Sequence, residues 1–284
     1  MPEADTVWRV AQRLNTVLAG QPLRLVELRW PTAADIDLTG RSTLEVTRRA
    51  KHILHRIEGG WTLRTHLGLD GMWQVWRPTD MTPTSWHNPE TRAVLGTDDW
   101  LCLGQRLRMV DVWRTSSEGE KLAHLGPDIL APDWNADVAA SAAAALSAHG
   151  DTIGAAMLDQ RPMSGVGTLW SAEVLFAYRT HPWLAARDVD PELVTEMVDW
   201  LRVMMLRSVE HPVPSVTGSQ RRGERTYVHA RSGHPCRRCG TIVRVQGIGP
   251  PTRQRPMFYC PTCQGGLAPG DRGGRLGPLG SRGR

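Results

Sequence analysis

Four of the five cysteines stand as Cys236-x-x-Cys239 and Cys260-x-x-Cys263, with twenty residues between the pairs. Two CxxC knuckles so spaced suit a tetrahedral thiolate set around one structural Zn²⁺, and they constrain their surroundings more than any apolar pattern in the chain. Two disulfides are the other arrangement open to such pairs, and a reducing compartment disfavours them. Four thiolates and Zn²⁺ sum to −2, and Arg237, Arg238 and Arg244 are expected to offset that charge from around the site. Cys102, within Trp100-Leu101-Cys102-Leu103, reads as a small core residue.

Charge is distributed unevenly around this feature. Over 284 residues, 34 Lys and Arg face 29 Asp and Glu, but residues 218–284 hold 13 basic against 2 acidic residues, while residues 1–217 hold 21 against 27. A basic final quarter points to an anionic partner. Lysine occurs only as Lys51 and Lys121, so any chemistry that needs a lysine falls on one of these. No apolar run approaches a membrane span and the first twenty residues carry acids, so the expectation is a soluble, cytoplasmic protein with no membrane partner.

Apolar residues at Val7, Val10, Ala11, Leu14, Val17 and Leu18, stopped by Gly20, predict an amphipathic helix. Alternating patterns over 23–30, 43–58 and 61–76, with a further strand pair over roughly 93–114, predict an antiparallel β-domain. After Gly126-Pro127-Asp128 the pattern becomes helical, over 136–148, 151–160, 168–179 and 191–211. Between two of these helices Gly165-Val166-Gly167-Thr168 forms a glycine turn opening a helix; such a turn presents N–H groups to a phosphate, or serves as a mere connector. Most of the twelve tryptophans are expected in the core, and residues 264–284, lacking an apolar period, are expected to be disordered. Met1-Pro2-Glu3 reads alone as an ordinary helix entry. With Met1 removed, however, Pro2 becomes a secondary amine of which on the order of a tenth is unprotonated at pH 7, with Glu3 beside it as acid or base.

Taken together, Met1-Pro2-Glu3, Arg49-Ala50-Lys51-His52, His66-Leu67-Gly68-Leu69-Asp70-Gly71, Leu125-Gly126-Pro127-Asp128, Gly165-Val166-Gly167-Thr168 with Glu173, and Arg255-Pro256-Met257-Phe258-Tyr259-Cys260 resemble the formamidopyrimidine-DNA glycosylase and endonuclease VIII family. The resemblance is greatest to its actinobacterial endonuclease VIII-like group. It runs in order from residue 2 to about 264.

The resemblance implies an α+β fold. An N-terminal antiparallel β-sandwich with a leading helix (1–125) is followed by a helix-two-turn-helix domain (126–217), a zinc ribbon (218–264) and an Arg/Gly tail (265–284). It implies a monomer acting on damaged duplex or single-stranded DNA of the nucleoid, as a bifunctional glycosylase and abasic-site lyase. Pro2 matches the nucleophile that forms a Schiff base at C1′, and Glu3 the residue that protonates the opening sugar. Lys51 matches the β-elimination lysine, here placed on a strand, and Arg255 the arginine of phosphate contact and δ-elimination. Among DNA-binding residues, Gly167 and Thr168 belong to the phosphate-binding turn, and Leu69 is either the wedge that fills the space of an extruded base or a buried strand residue. Thr168 stands where the family usually has asparagine, and Ala4 where glycine is common. Residues 104–113 lack the Arg-x-Phe pattern of the formamidopyrimidine branch, which favours oxidised pyrimidines as substrates. A non-catalytic damaged-DNA-binding paralogue of the same fold is the alternative.

Overall fold

Glu3, in extended conformation, leads into α1 (Ala4–Leu18), whose Val7, Ala11, Leu14, Val17 and Leu18 are buried. Gly20 ends it at φ +76°, a left-handed conformation that favours glycine, and donates its N–H to the Thr43 carbonyl at 2.9 Å. The computed structural model describes residues 2–80 and 86–274. The chain forms two compact units, one up to His124 and one from Leu125 onward.

The first unit is a sandwich of two four-stranded antiparallel sheets. Strands β1 (Leu25–Leu28), β2 (Thr43–Arg49), β3 (His52–Ile57), β4 (Trp61–His66), β5 (Met72–Trp76), β6 (Thr91–Gly96), β7 (Leu101–Gln105) and β8 (Met109–Arg114) order as β1-β6-β7-β5 and β2-β3-β4-β8. Val46, Ile53, Ile57, Leu63 and Val110 of one sheet share a core with Leu28, Trp73, Ala93, Leu95 and Cys102 of the other and with the apolar stripe of α1. Cys102 is fully buried, which raises its thiol to about 12, as suits a core residue. The short helix α2 (Glu118–Leu122) follows.

Two histidines are enclosed in this unit. His55 lies in the sandwich with a ring nitrogen 2.8 Å from the Thr43 hydroxyl, and burial lowers it to about 3. His52 is lowered to about 3, first by burial and then by His66, Arg64, His124 and Lys51. Both therefore fold uncharged, and the unfolded chain binds their protons below its pKa near 6.5. Their contribution is complete above that value and lost as pH falls from 6.5 toward 3, by up to about 1.4 kcal/mol per pH unit for each. Urea unfolding at pH 5 is expected to show about 2 kcal/mol less stability per histidine than at pH 7. Equal midpoints at the two pH values would contradict this account.

The tryptophans meet expectation in the main. Trp73 and Trp170 are buried, and Trp30, Trp61, Trp76, Trp86 and Trp100 are partly buried and pack against the sandwich cores. Trp8, Trp61, Trp100, Trp113 and Trp134 each also lie under a guanidinium, that of Arg48, Arg114, Arg77, Arg64 or Arg202, so arginine covers the indole faces that the core leaves open.

The second unit holds α3 (Ala136–Ser147), α4 (Ile153–Leu158), α5 (Thr168–Ala177) and α6 (Pro191–Val209), then the hairpin of β9 (Arg244–Ile248) and β10 (Arg255–Tyr259). Asn135, Thr152 and Asp190 cap three of the helices by accepting N–H groups from Val138, Ala155 and Glu192. Within residues 265–274, expected to be disordered, most side chains are exposed but two anchor the segment: Ala268 is 3% exposed and Asp271 pairs with Arg244. Polar anchoring orders them without an apolar period. Residues 275–284 lie outside those described. Among the described residues no helix is long and apolar enough to cross a membrane.

Candidate functional site

In the first unit the course of α1 along β2 decides where Pro2 and Glu3 lie relative to Lys51. Arg48 lies 4.6 Å from the Trp8 ring, the Val46 N–H donates to Asn15 Oδ1 at 2.7 Å, and Gly20 reaches Thr43. As α1 advances from 8 to 20, β2 recedes from 48 to 43, so the helix runs antiparallel to β2 and its beginning, Pro2-Glu3, lies toward the Ala50-Lys51 end of that strand. Glu3 is 2% exposed, and its carbonyl accepts the Val7 N–H at 2.9 Å.

Lys51 sits in a two-residue turn, not on a strand, because Arg49 of β2 already pairs with His52 of β3. The alternating pattern across 43–58 hides the break; the left-handed Ala50, at φ +52°, makes it. His52 pairs across β3–β4 with His66, the two rings 4.9 Å apart. The surroundings of Lys51 are thus rich in basic nitrogen, a property of strand register that spacing does not display.

Leu69 is 65% exposed at the turn after β4. Gly68, at φ +67°, donates its N–H to His66 Nδ1 at 2.9 Å, and Gly71 donates to the Leu67 carbonyl at 2.9 Å. The turn buries Leu67 and presents Leu69, which removes the buried-strand alternative.

In the second unit Gly167 is the N-cap of α5, in extended conformation. Thr168 opens the helix and is only 3% exposed. Gln160 braces the turn before it: its amide donates to the Leu158 and Val166 carbonyls at 3.0 Å, and its oxygen accepts the Gly165 N–H at 3.0 Å. Gln160 was missed in the sequence, where an isolated glutamine before Arg161-Pro162 gives no signal.

The four cysteine sulfurs lie within 4.8 Å of one another. Cys236 Sγ is 4.0 Å from Cys263 Sγ, and Cys239 Sγ is 3.5 Å from Cys260 Sγ. These edges bracket the ~3.8 Å expected of a tetrahedron with metal–sulfur bonds of about 2.3 Å, so the donor set fits a metal. Thr241 hydrogen bonding holds the Cys239 thiol below its usual range, whereas burial raises those of Cys260 and Cys263. Of the arginines expected to offset the thiolates, Arg244 is paired with Asp271, whereas Arg237 donates to the Thr226 and Gly223 carbonyls and Arg238 to the Phe176 and Ala177 carbonyls, neutral acceptors that leave their charge in place, and the Arg238 backbone N–H reaches Cys236 Sγ at 3.4 Å. They bolt the ribbon to its neighbours. Arg255 is exposed as the first residue of β10, where it faces Ile248.

Glu173 of α5 is buried and accepts three consecutive backbone N–H groups, from Tyr227 at 2.9 Å and from Val228 and His229 at 2.8 Å. Burial pushes its carboxyl above the usual range, and the three donors pull the other way. Glu173→Ala would leave these amides without their acceptor, and a loss of at least about 2 kcal/mol is expected. A thermal unfolding transition that keeps its midpoint would count against this role.

A two-sheet sandwich entered by a Pro-Glu-capped helix, a helix–turn–helix region with a glycine turn, and a four-cysteine ribbon together define a recognisable protein class. The formamidopyrimidine-DNA glycosylase N-terminal domain matches residues 1–117, and the formamidopyrimidine-DNA glycosylase H2TH domain matches residues 125–218. The chain is 40% identical to a probable endonuclease 8 2 of Streptomyces coelicolor over 98% of both chains. It is 34% identical to the DNA-(apurinic or apyrimidinic site) lyase Nei2 of Mycolicibacterium smegmatis, covering 93% of this chain and 99% of that protein. The crystal structure of the MutM (Fpg) protein from Thermus thermophilus superposes with a TM-score of 0.74 at 28% identity, covering 94% of this chain and 100% of that one. The chain belongs to the formamidopyrimidine-DNA glycosylase and endonuclease VIII family.

Proposed function

We propose that this protein is a bifunctional DNA glycosylase and abasic-site lyase that removes oxidised pyrimidines from damaged DNA. The observation that carries the reading is the antiparallel run of α1 along β2, which brings Pro2 and Glu3 toward the Lys51 turn, in a chain 40% identical to a probable endonuclease 8. The lyase and glycosylase names of its relatives support the same reaction class.

On this reading the Pro2 amine, freed of Met1, bonds to C1′ as the base departs with the glycosidic electron pair. Glu3 takes the proton that the Pro2 nitrogen loses on bonding and delivers it to the ring oxygen, as the freed nitrogen lone pair opens the C1′–O4′ bond and leaves an iminium. Lys51 serves β-elimination, in which the C2′ proton is lost and the 3′ C–O bond breaks. Arg255 and the N–H groups at Gly167-Thr168 hold backbone phosphates. The burial of Thr168 supports a backbone contact in place of the amide contact of asparagine. Leu69, exposed at its turn, is the wedge that fills the space of the extruded nucleotide. The cysteines hold one structural Zn²⁺ with no coordination position left for chemistry. The protein acts as a monomer on DNA of the cytoplasmic nucleoid.

Borohydride reduction on DNA carrying one abasic site tests this reading, since a Schiff base is reduced to a covalent adduct. An adduct whose mass maps to the N-terminal peptide is expected. A protein that binds the DNA yet yields no adduct would instead be a non-catalytic binder.

A further inference from the structure

Beyond Cys263 the chain doubles back over the hairpin. The Ala268 N–H donates to the Tyr259 hydroxyl at 2.9 Å, and that hydroxyl donates to Asp271 Oδ2 at 2.7 Å. Arg244 meets the same carboxylate with both arms, Nε to Oδ2 at 2.5 Å and Nη2 to Oδ1 at 2.6 Å, and Nη2 also reaches the Gly274 carbonyl at 3.1 Å. The Gly273 N–H adds a bond to Oδ1 at 3.0 Å. The Arg244 and Asp271 side chains are 10% and 8% exposed, so this is not a solvated surface pair.

Its position in the hairpin gives the contact its meaning. Arg244 and Tyr259 are register partners at the cysteine end of β9–β10, and Arg255 and Ile248 are partners at the other end. Asp271 therefore ties both strands together across one end of a ladder whose other end presents Arg255. A two-stranded sheet is marginal by itself, and a slip of one residue turns every side chain to the opposite face. The bidentate carboxylate resists such a slip, because moving either strand would leave a buried guanidinium without its partner.

We propose that Asp271 is a positioning residue for Arg255: by joining Arg244 to Tyr259 it fixes the register of β9 against β10 and delivers the Arg255 guanidinium to a DNA phosphate. This rests on the reading of Arg255 as a phosphate contact. The segment that reads as a featureless tail is then part of the DNA-binding device.

The test uses the full chain, with zinc content assayed by a chelating dye and binding to a duplex bearing a stable abasic-site analogue titrated against salt. Arg255→Ala is expected to reduce the slope of log K against log salt by about 0.9, the loss of one phosphate contact. Asp271→Ala is expected to give the same reduction with zinc retained, and the double variant no more than either alone. A wild-type slope in Asp271→Ala beside a reduced slope in Arg255→Ala overturns the inference and leaves the Arg255 reading intact; additive losses overturn it as well. An unchanged slope in Arg255→Ala removes that reading, and the role of Asp271 with it. Should Asp271→Ala shed zinc, Tyr259→Phe, which removes only the bridging hydroxyl, decides: a reduced slope with zinc retained supports the inference, and a wild-type slope overturns it.

Discussion

Protein that retains Met1, verified by mass, is expected to form no borohydride adduct and to release no base, while its zinc content and DNA affinity stay at the level of the processed chain. With Met1 in place the Pro2 nitrogen is a tertiary amide whose lone pair is delocalised into the carbonyl, so it cannot attack C1′. With Met1 removed it is a secondary amine with a usable unprotonated fraction at neutral pH. The expected effect is complete loss, larger than that of any side-chain substitution near the site. Pro2→Gly supplies a primary terminal amine and is expected to keep part of the lyase activity. Glu3→Gln is expected to depress base release while sparing much of the cleavage at a preformed abasic site, since there the glycosidic bond is already gone. Efficient trapping by Met1-retaining protein would refute the terminal-amine mechanism and leave Lys51 as the leading nucleophile.

Cys239→Ser is expected to release zinc and to cost most of the affinity for DNA. The ribbon holds a two-stranded sheet with few apolar side chains of its own, chiefly Val243, Ile248, Met257, Phe258 and Tyr259. Metal binding supplies much of the folding free energy of such a small unit. Removing one thiolate therefore unravels the hairpin that carries Arg255, and the arginines bonded to neighbouring carbonyls lose their geometry. The sandwich has its own core and is expected to keep its unfolding transition. Undiminished DNA affinity in a zinc-free variant would show that the ribbon does not contribute to binding.

Both variants address residues visible in the sequence, and the reason is physical. A metal knuckle, a helix stripe and a glycine turn are local patterns set by short spacings and by backbone conformations few residues adopt, so the cysteines, α1 and Gly165–Thr168 could be placed from the chain alone. The antiparallel β-domain was legible for the same reason, as alternation over 23–30, 43–58 and 61–76, although the strand pair expected over 93–114 is three strands, β6, β7 and β8. What the sequence could not decide depends on partners distant in the chain. Alternation across 43–58 continues through Ala50-Lys51, and only pairing of Arg49 with His52 reveals a turn that sets Lys51 at its tip. Leu69 has the composition of a buried strand residue and the location of a wedge; the backbone of Gly68 and the burial of Leu67 choose between them. Arg244 looked like a counter-charge for thiolates, yet it is engaged by Asp271, a residue in a stretch without apolar rhythm. Order there comes from one buried charge pair and a tyrosine hydroxyl. Such contacts join residues far apart in the chain and leave no periodic trace in it, so only the tertiary structure shows them.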